Sequence, residues 1–131
     1  MCRTIKERAC FPAPPATIYR LLADAREHRA FTGRTAKIEP RVGGRFSLDG
    51  GRVTGINVDL SPGKRIVQAW REREFPPGIY SMAAFVLKST PQGGTEVTLT
   101  HRGVPKELIP RIIAEWRTGY WARLREYLSH P

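Results

Sequence analysis

The 131-residue sequence predicts an α+β fold in which a curved antiparallel sheet of six or seven strands wraps one long C-terminal helix. Three observations carry that expectation. Apolar residues alternate with period two through the middle of the chain, glycine pairs at Gly43-Gly44, Gly50-Gly51 and Gly93-Gly94 punctuate the alternation, and after Val104-Pro105 the period lengthens to the helical one. Side chains on a strand point to alternate faces and those on a helix recur every third or fourth position, so one switch of period marks one change of layer.

The elements follow in order. Thr4 to Phe11 reads as an edge strand stopped by Pro12-Ala13-Pro14-Pro15, because proline cannot donate to a ladder. Pro15 suits a first helical turn, and Ile18, Leu21 and Leu22 make an i, i+3, i+4 stripe that ends before Asp24. A second short helix is expected over Ala25 to Phe31, closed at Thr32-Gly33, where glycine takes the left-handed cap. Strands are expected at Ala36 to Glu39, Arg45 to Asp49, Arg52 to Leu60, Arg65 to Glu74, Tyr80 to Ser89 and Thr95 to His101. They reverse at Asp49-Gly50-Gly51, Ser61-Pro62-Gly63-Lys64, Phe75-Pro76-Pro77-Gly78 and Thr90-Pro91-Gln92-Gly93-Gly94.

The last helix is expected to begin between Val104 and Arg111. Ile109, Ile112, Ile113, Trp116, Tyr120, Leu124 and Tyr127 fall on a face roughly 120° wide that must pack along the sheet, with Trp121 on the opposite face. Pro110 lacks a backbone amide, so Lys106 to Ile109 is expected to form a separate turn. Gly119 costs about 1 kcal/mol relative to alanine in mid-helix, so either something approaches its backbone closely or the helix bends there.

Length suits one domain, residues 1–131, and no repeat, low-complexity tract or linker divides it. No apolar run is long enough for a bilayer, and the first residues mix charges where a signal peptide needs an apolar core, so a cytoplasmic protein is expected. Cys2 and Cys10 have no CxxC spacing and no nearby histidine, and are read as bystanders. The net charge of +10 invites nucleic-acid binding. The basic residues alternate with acids, however, and the longest uninterrupted basic stretch is Lys64-Arg65, so a dispersed surface charge is expected and no nucleic-acid partner.

The histidines, His28, His101 and His130, form no pair at metal-ligand spacing. There is no GxSxG, HExxH or Walker-type motif, so no catalytic residue, metal or organic cofactor is assigned, and an enzyme is the weaker reading. His101 shares an inward strand face with Val97 and Leu99, either as a structural hydrogen-bonder or as a ligand contact or general acid/base. Arg123 lies near the centre of the apolar helix stripe, so it either snorkels past the rim or faces a cavity to meet an anionic head group. Phe46, Trp70, Phe85, Trp116 and Tyr120 are candidate walls of an apolar pocket between helix and sheet. For Trp70 this depends on register, since Ile66, Gln68 and Trp70 share one face and Val67 and Ala69 the other.

The chain carries Phe31-Thr32-Gly33, Gly43-Gly44-Arg45-Phe46-Ser47-Leu48-Asp49-Gly50, and Pro62-Gly63-Lys64-Arg65-Ile66-Val67-Gln68-Ala69-Trp70-Arg71. It adds Gly78-Ile79-Tyr80-Ser81, Gly94-Thr95-Glu96-Val97-Thr98-Leu99-Thr100-His101 and Trp116…Tyr120-Trp121…Leu124…Tyr127-Leu128. In this order the motifs resemble, over nearly the whole chain, the family of activators of the heat-shock protein 90 ATPase within the START-like (SRPBCC) superfamily. The resemblance implies the helix-grip fold and a mostly apolar cavity between sheet and final helix. Full-length activators carry a further N-terminal domain for which this length leaves no room, so the resemblance implies the fold more than ATPase stimulation. Phe75-Pro76-Pro77 stands where the family pattern has a tryptophan before a single proline, which alters the rim of one hairpin.

Three function classes fit. The foremost is binding of a small hydrophobic molecule in the cavity; the others are a protein-interaction module with a chaperone partner and a cyclase- or dehydratase-like enzyme using the same cavity. A sizeable closed cavity favours the first and a solid core with an exposed apolar patch the second, whereas His101 bonded to a carboxylate raises the third. Monomer and homodimer are equally compatible with the sequence.

Overall fold

A computed structural model of the chain describes residues 2–130. Strand β1 (Cys2–Phe11) leads into helices α1 (Pro15–Ala23) and α2 (Ala25–Thr32), and then into a meander of β2 (Ala36–Ile38), β3 (Arg45–Leu48), β4 (Val53–Ser61), β5 (Arg65–Glu72), β6 (Ser81–Ser89) and β7 (Thr95–Pro105). The sheet has seven strands in the order β1-β7-β6-β5-β4-β3-β2, and every pair is antiparallel. Register shifts between Arg3 and Ile5 and between Asn57 and Asp59 bend the strands. The chain closes with a 3₁₀ turn (Lys106–Leu108), helix α3 (Ile109–Ala114), a π-helical segment (Glu115–Trp121) and helix α4 (Ala122–Leu128).

Local chemistry accounts for the boundaries. Pro15 opens α1, whose Ile18, Leu21 and Leu22 are buried. The Asp24 side chain accepts from the Glu27 amide at 3.0 Å and caps α2, and Gly33 ends that helix at φ 70°. Most strand limits agree with the alternation within two residues. Thr95–Pro105 runs four residues beyond the expected end at His101, and β1 begins at Cys2 rather than Thr4. Tyr80 lies outside β6, half exposed.

The inward faces of β1 to β7, with α1, α2 and the C-terminal helix, form one core that includes Phe11, Ile18, Phe31, Ile66, Trp70, Phe85, Leu99 and Trp116. Trp70 is inward with Ile66 and Gln68, as the favoured register required. Trp121 departs from expectation. An α-helix turns about 100° per residue and places residue i+5 some 140° from residue i, whereas i→i+5 bonding in a π turn brings the two close to one face. The π segment therefore turns both Trp116 and Trp121 inward, and their rings stack with centroids 5.9 Å apart at 21°. Tyr127, past that segment, is 39% exposed and leaves the apolar face it was assigned to.

Gly119 sits inside the π segment, where a Cβ would collide with the Glu115 carboxylate folded over it. Close approach is thus the reason for glycine here. Gly119→Ala, which stabilises an ordinary exposed helix by about 1 kcal/mol, is expected to destabilise this protein by about 1–2 kcal/mol in urea unfolding. In a Glu115→Ala background the same substitution is expected to cost markedly less.

Candidate functional site

Six of the seven sequence-derived candidates converge between sheet and helix. β3 contributes Phe46, β5 Trp70, β6 Phe85, β7 His101 and the π segment Trp116 and Tyr120, all buried. They meet one another rather than lining a space. Ring centroids lie 5.0 Å apart for Trp70–Trp116, 4.8 Å for Trp116–Tyr120, 5.6 Å for Phe85–Trp116 and 5.8 Å for Phe46–Trp70. The space bounded by Phe46, Trp70, Phe85 and Tyr120 is about 10 Å³, no more than one water occupies. The expected apolar cavity is therefore filled, because the π segment adds Trp121 to the helix's inner face and the large rings close on each other.

Arg123 is not part of this cluster. Its guanidinium turns outward and donates to the Thr32 carbonyl at the C-terminal end of α2, on the wall of an open groove of about 370 Å³ that Phe31 and Tyr127 also line. It satisfies a carbonyl that the helix end leaves unpaired.

His101 is 0% exposed and fully bonded. Trp116 Nε1 donates to its Nδ1 at 3.1 Å, so the ring proton is on Nε2, which donates to Ser81 Oγ at 2.7 Å; Ser81 donates onward to the Trp70 carbonyl at 2.8 Å. No carboxylate touches the ring, and the arrangement ties helix to sheet instead of poising a general base. Desolvation lowers its pKa from 6.5 to about 4.

His28 is its counterpart, unsuspected from sequence beyond its place in a helix. It is buried with Phe31 and Thr32 on the inner face of α2. The Leu21 carbonyl, 3.2 Å from Nδ1, can only accept, so the proton is on Nδ1 and Nε2 accepts from the Tyr120 hydroxyl at 3.1 Å. Burial lowers this pKa to about 4 as well, against smaller opposing contributions from the Leu21 and Leu22 carbonyls. Burial first, and the Glu115 carboxylate second, raise the pKa of Tyr120 well beyond the ordinary phenol range.

An ionic chain also missed from sequence closes the rim above Tyr120. Glu115 pairs with Arg34 and, at 3.4 Å, with Arg52; Arg52 pairs with Asp49 at 2.8 Å and with Glu72 at 3.1 Å. Glu72, 1% exposed, also accepts from Arg111 at 3.0 Å and from Trp70 Nε1 at 3.0 Å. Three donors offset the desolvation of this carboxylate. The opening beside His28, Arg34, Arg52 and Tyr120 is again only about 10 Å³. Strand alternation offered the signal for Glu72, since it continues the inward series Ile66, Gln68, Trp70. Among the described residues no group of three or more His, Cys, Asp and Glu assembles into a metal-binding arrangement.

A seven-stranded antiparallel sheet gripping a C-terminal helix, with two short helices after its first strand, defines the START-like helix-grip class. Within that class the chain belongs to the family described as "Activator of Hsp90 ATPase homolog 1-like protein", whose pattern matches residues 12–129. It is 31% identical over 129 residues to the human activator of 90 kDa heat shock protein ATPase homolog 1, covering 97% of this chain and 37% of that protein. The Dictyostelium discoideum homolog is 29% identical over 128 residues, covering 98% and 33%. The chain thus spans about a third of the length of these curated relatives. Among solved structures it is similar to an HSP90 activator from Plasmodium falciparum, with a TM-score of 0.91 at 22% identity, covering 98% of this chain and 97% of that one. It is also similar to CalU16 from Micromonospora echinospora, with a TM-score of 0.82 at 21% identity, covering 98% and 78%.

The two buried histidines have a measurable consequence. An unfolded chain takes up protons below about pH 6.5 that the native one refuses until about pH 4, so stability is expected to fall as pH drops through that window. The loss is about 2 kcal/mol per histidine, read from urea unfolding at pH 7 and pH 4.5. Imidazole nitrogen spectra at pH 6 are expected to report neutral rings of opposite tautomer, Nε2–H for His101 and Nδ1–H for His28.

Proposed function

We propose that this chain is a protein-interaction module of the chaperone-activator kind, docking on heat-shock protein 90 through the outer face of its sheet. The observation that carries this reading is the closed aromatic interior, which leaves no room for a small hydrophobic molecule and moves recognition to the surface. Membership of the activator family supplies the partner. A cytoplasmic location belongs to the same reading.

The outer face suits such a role. Ile56, Ala69 and Met82 are cross-strand neighbours in one row over β4, β5 and β6, with Val67 paired to Ala84 on the same face. Ile56, Val58, Met82 and Val86 are each at least 38% exposed, and Tyr80 beside them is half exposed. A contiguous apolar patch of this kind marks a docking surface more often than a solvated one. Next to it an open groove of about 690 Å³ runs past Ile56, Thr54 and Tyr80 and is flanked by Lys37, Glu39 and Arg45. A mainly apolar surface on the chaperone complements it.

Titration calorimetry with heat-shock protein 90, together with its ATPase rate, tests this. Ile56→Asp with Met82→Asp is expected to weaken binding at least tenfold while leaving the thermal midpoint within a few degrees. Absence of binding by the parent chain, or equal binding by the double variant, would contradict the reading.

A further inference from the structure

We infer that the buried aromatic cluster is a one-electron relay, which gives up an electron to a small radical oxidant at Trp121 and holds the resulting vacancy on Tyr120 as a neutral tyrosyl radical, with the phenol proton on His28. The relay lies in the interior and is independent of the outer-face reading. Trp121 lines the open groove beside β1 and is the ring through which the cluster reaches the surface. It stacks on Trp116, with centroids 5.9 Å apart at 21°, and its centroid is 6.3 Å from that of Tyr120. Trp116 and Tyr120 are 4.8 Å apart, so every step inward is a direct ring contact.

Packed rings are ordinary in a core, and what sets these apart is where their polar hydrogens go. An indole or phenol that loses an electron becomes a strong acid at its N–H or O–H, so the vacancy settles where a base stands ready for the proton. The Tyr120 hydroxyl donates to Nε2 of His28 at 3.1 Å, and that nitrogen carries a lone pair because Nδ1–H is turned to the Leu21 carbonyl. Trp116 Nε1 donates to Nδ1 of His101 at 3.1 Å, and Trp70 Nε1 to the Glu72 carboxylate at 3.0 Å. Trp121 is the exception. Its Nε1 has no acceptor among the described residues, so its radical cation keeps the proton and passes the vacancy inward. Loss of an electron and a proton together costs less for a phenol than for an indole, which makes Trp116 a relay and Tyr120 the terminus.

The step balances. The oxidant gains one electron; Tyr120 loses one electron and its hydroxyl proton, the O–H bond breaking as an N–H bond forms at Nε2 of His28. Prior ionisation of Tyr120 is closed to the protein, because burial holds its pKa well above the ordinary phenol range. Burial also disfavours imidazolium at His28, but an oxidised phenol is by far the stronger acid. A one-electron reductant of the thiol class returns the electron, and the proton goes back to the phenol.

Pulse radiolysis with the azidyl radical, which oxidises indoles first, tests this. The tryptophan radical absorption is expected to convert into that of a tyrosyl radical, at a rate independent of protein concentration and slower in deuterium oxide. Tyr120→Phe is expected to remove the conversion, and Tyr19→Phe and Tyr127→Phe to leave it. Trp121→Phe keeps a ring in the packing, and His28→Gln keeps a carbonyl for the phenol but no base; each is expected to slow the conversion about tenfold. A conversion that survives Tyr120→Phe, an unchanged rate in Trp121→Phe or His28→Gln, or a rate that rises with protein concentration would overturn the inference. So would equal rates in the two solvents, a measurement on the parent chain that decides the point even if a variant does not fold.

Discussion

Between Glu115 and Trp121 the C-terminal helix widens into a π turn, and the packing of the interior follows from that change of pitch. Regular α-helical pitch would carry Trp116 and Tyr120 inward and swing Trp121 toward solvent. The wider turn brings all three rings against the sheet, where Trp121 meets Phe11 at 5.9 Å and Trp116 meets Trp70 at 5.0 Å. Gly119 permits it by leaving room for the Glu115 side chain over its backbone. Glu115 in turn anchors Arg34 and Arg52, so the aromatic interior and the ionic rim share one helical segment.

A filled interior changes what its polar groups are for. In an open pocket His101 and Tyr120 would be orienting groups for a ligand; here each is bonded to a protein neighbour, His101 to Trp116 and Ser81, Tyr120 to His28. Bonds among buried groups fix one packing arrangement, since each group left unpaired would cost on the order of 1–3 kcal/mol. The same reasoning covers Gln68, which donates to Asn57 Oδ1 at 3.1 Å, and Asn57, which donates to the Glu39 carbonyl at 2.9 Å. Among the described residues the buried side-chain nitrogens without a partner are Arg111 Nε and Trp121 Nε1.

The strand positions, the two short helices and the inward face of β5 were legible because period, proline and glycine each report local geometry. The identity of six buried candidates was legible for the same reason. Their meaning was not. A stripe of large apolar groups at i, i+4, i+8 looks the same whether it faces a cavity or another ring, and the inference from fold to cavity failed on the π turn, which no residue but Gly119 signals. His28 and Glu72 were missed because a partner that defines each lies far along the chain, Tyr120 for one and Arg111 for the other. Of the two readings of Arg123, its guanidinium takes the snorkelling one and turns outward to the end of α2.

The surface then carries what the interior does not. Apolar residues line the outer face of β4 to β6 while the interior is filled, so recognition is divided from packing. That division depends on the interior being closed. Native mass spectrometry of the purified protein measures this most directly: the account expects the mass of the polypeptide with no retained small molecule, and a stoichiometric lipid-like adduct released on unfolding would contradict it.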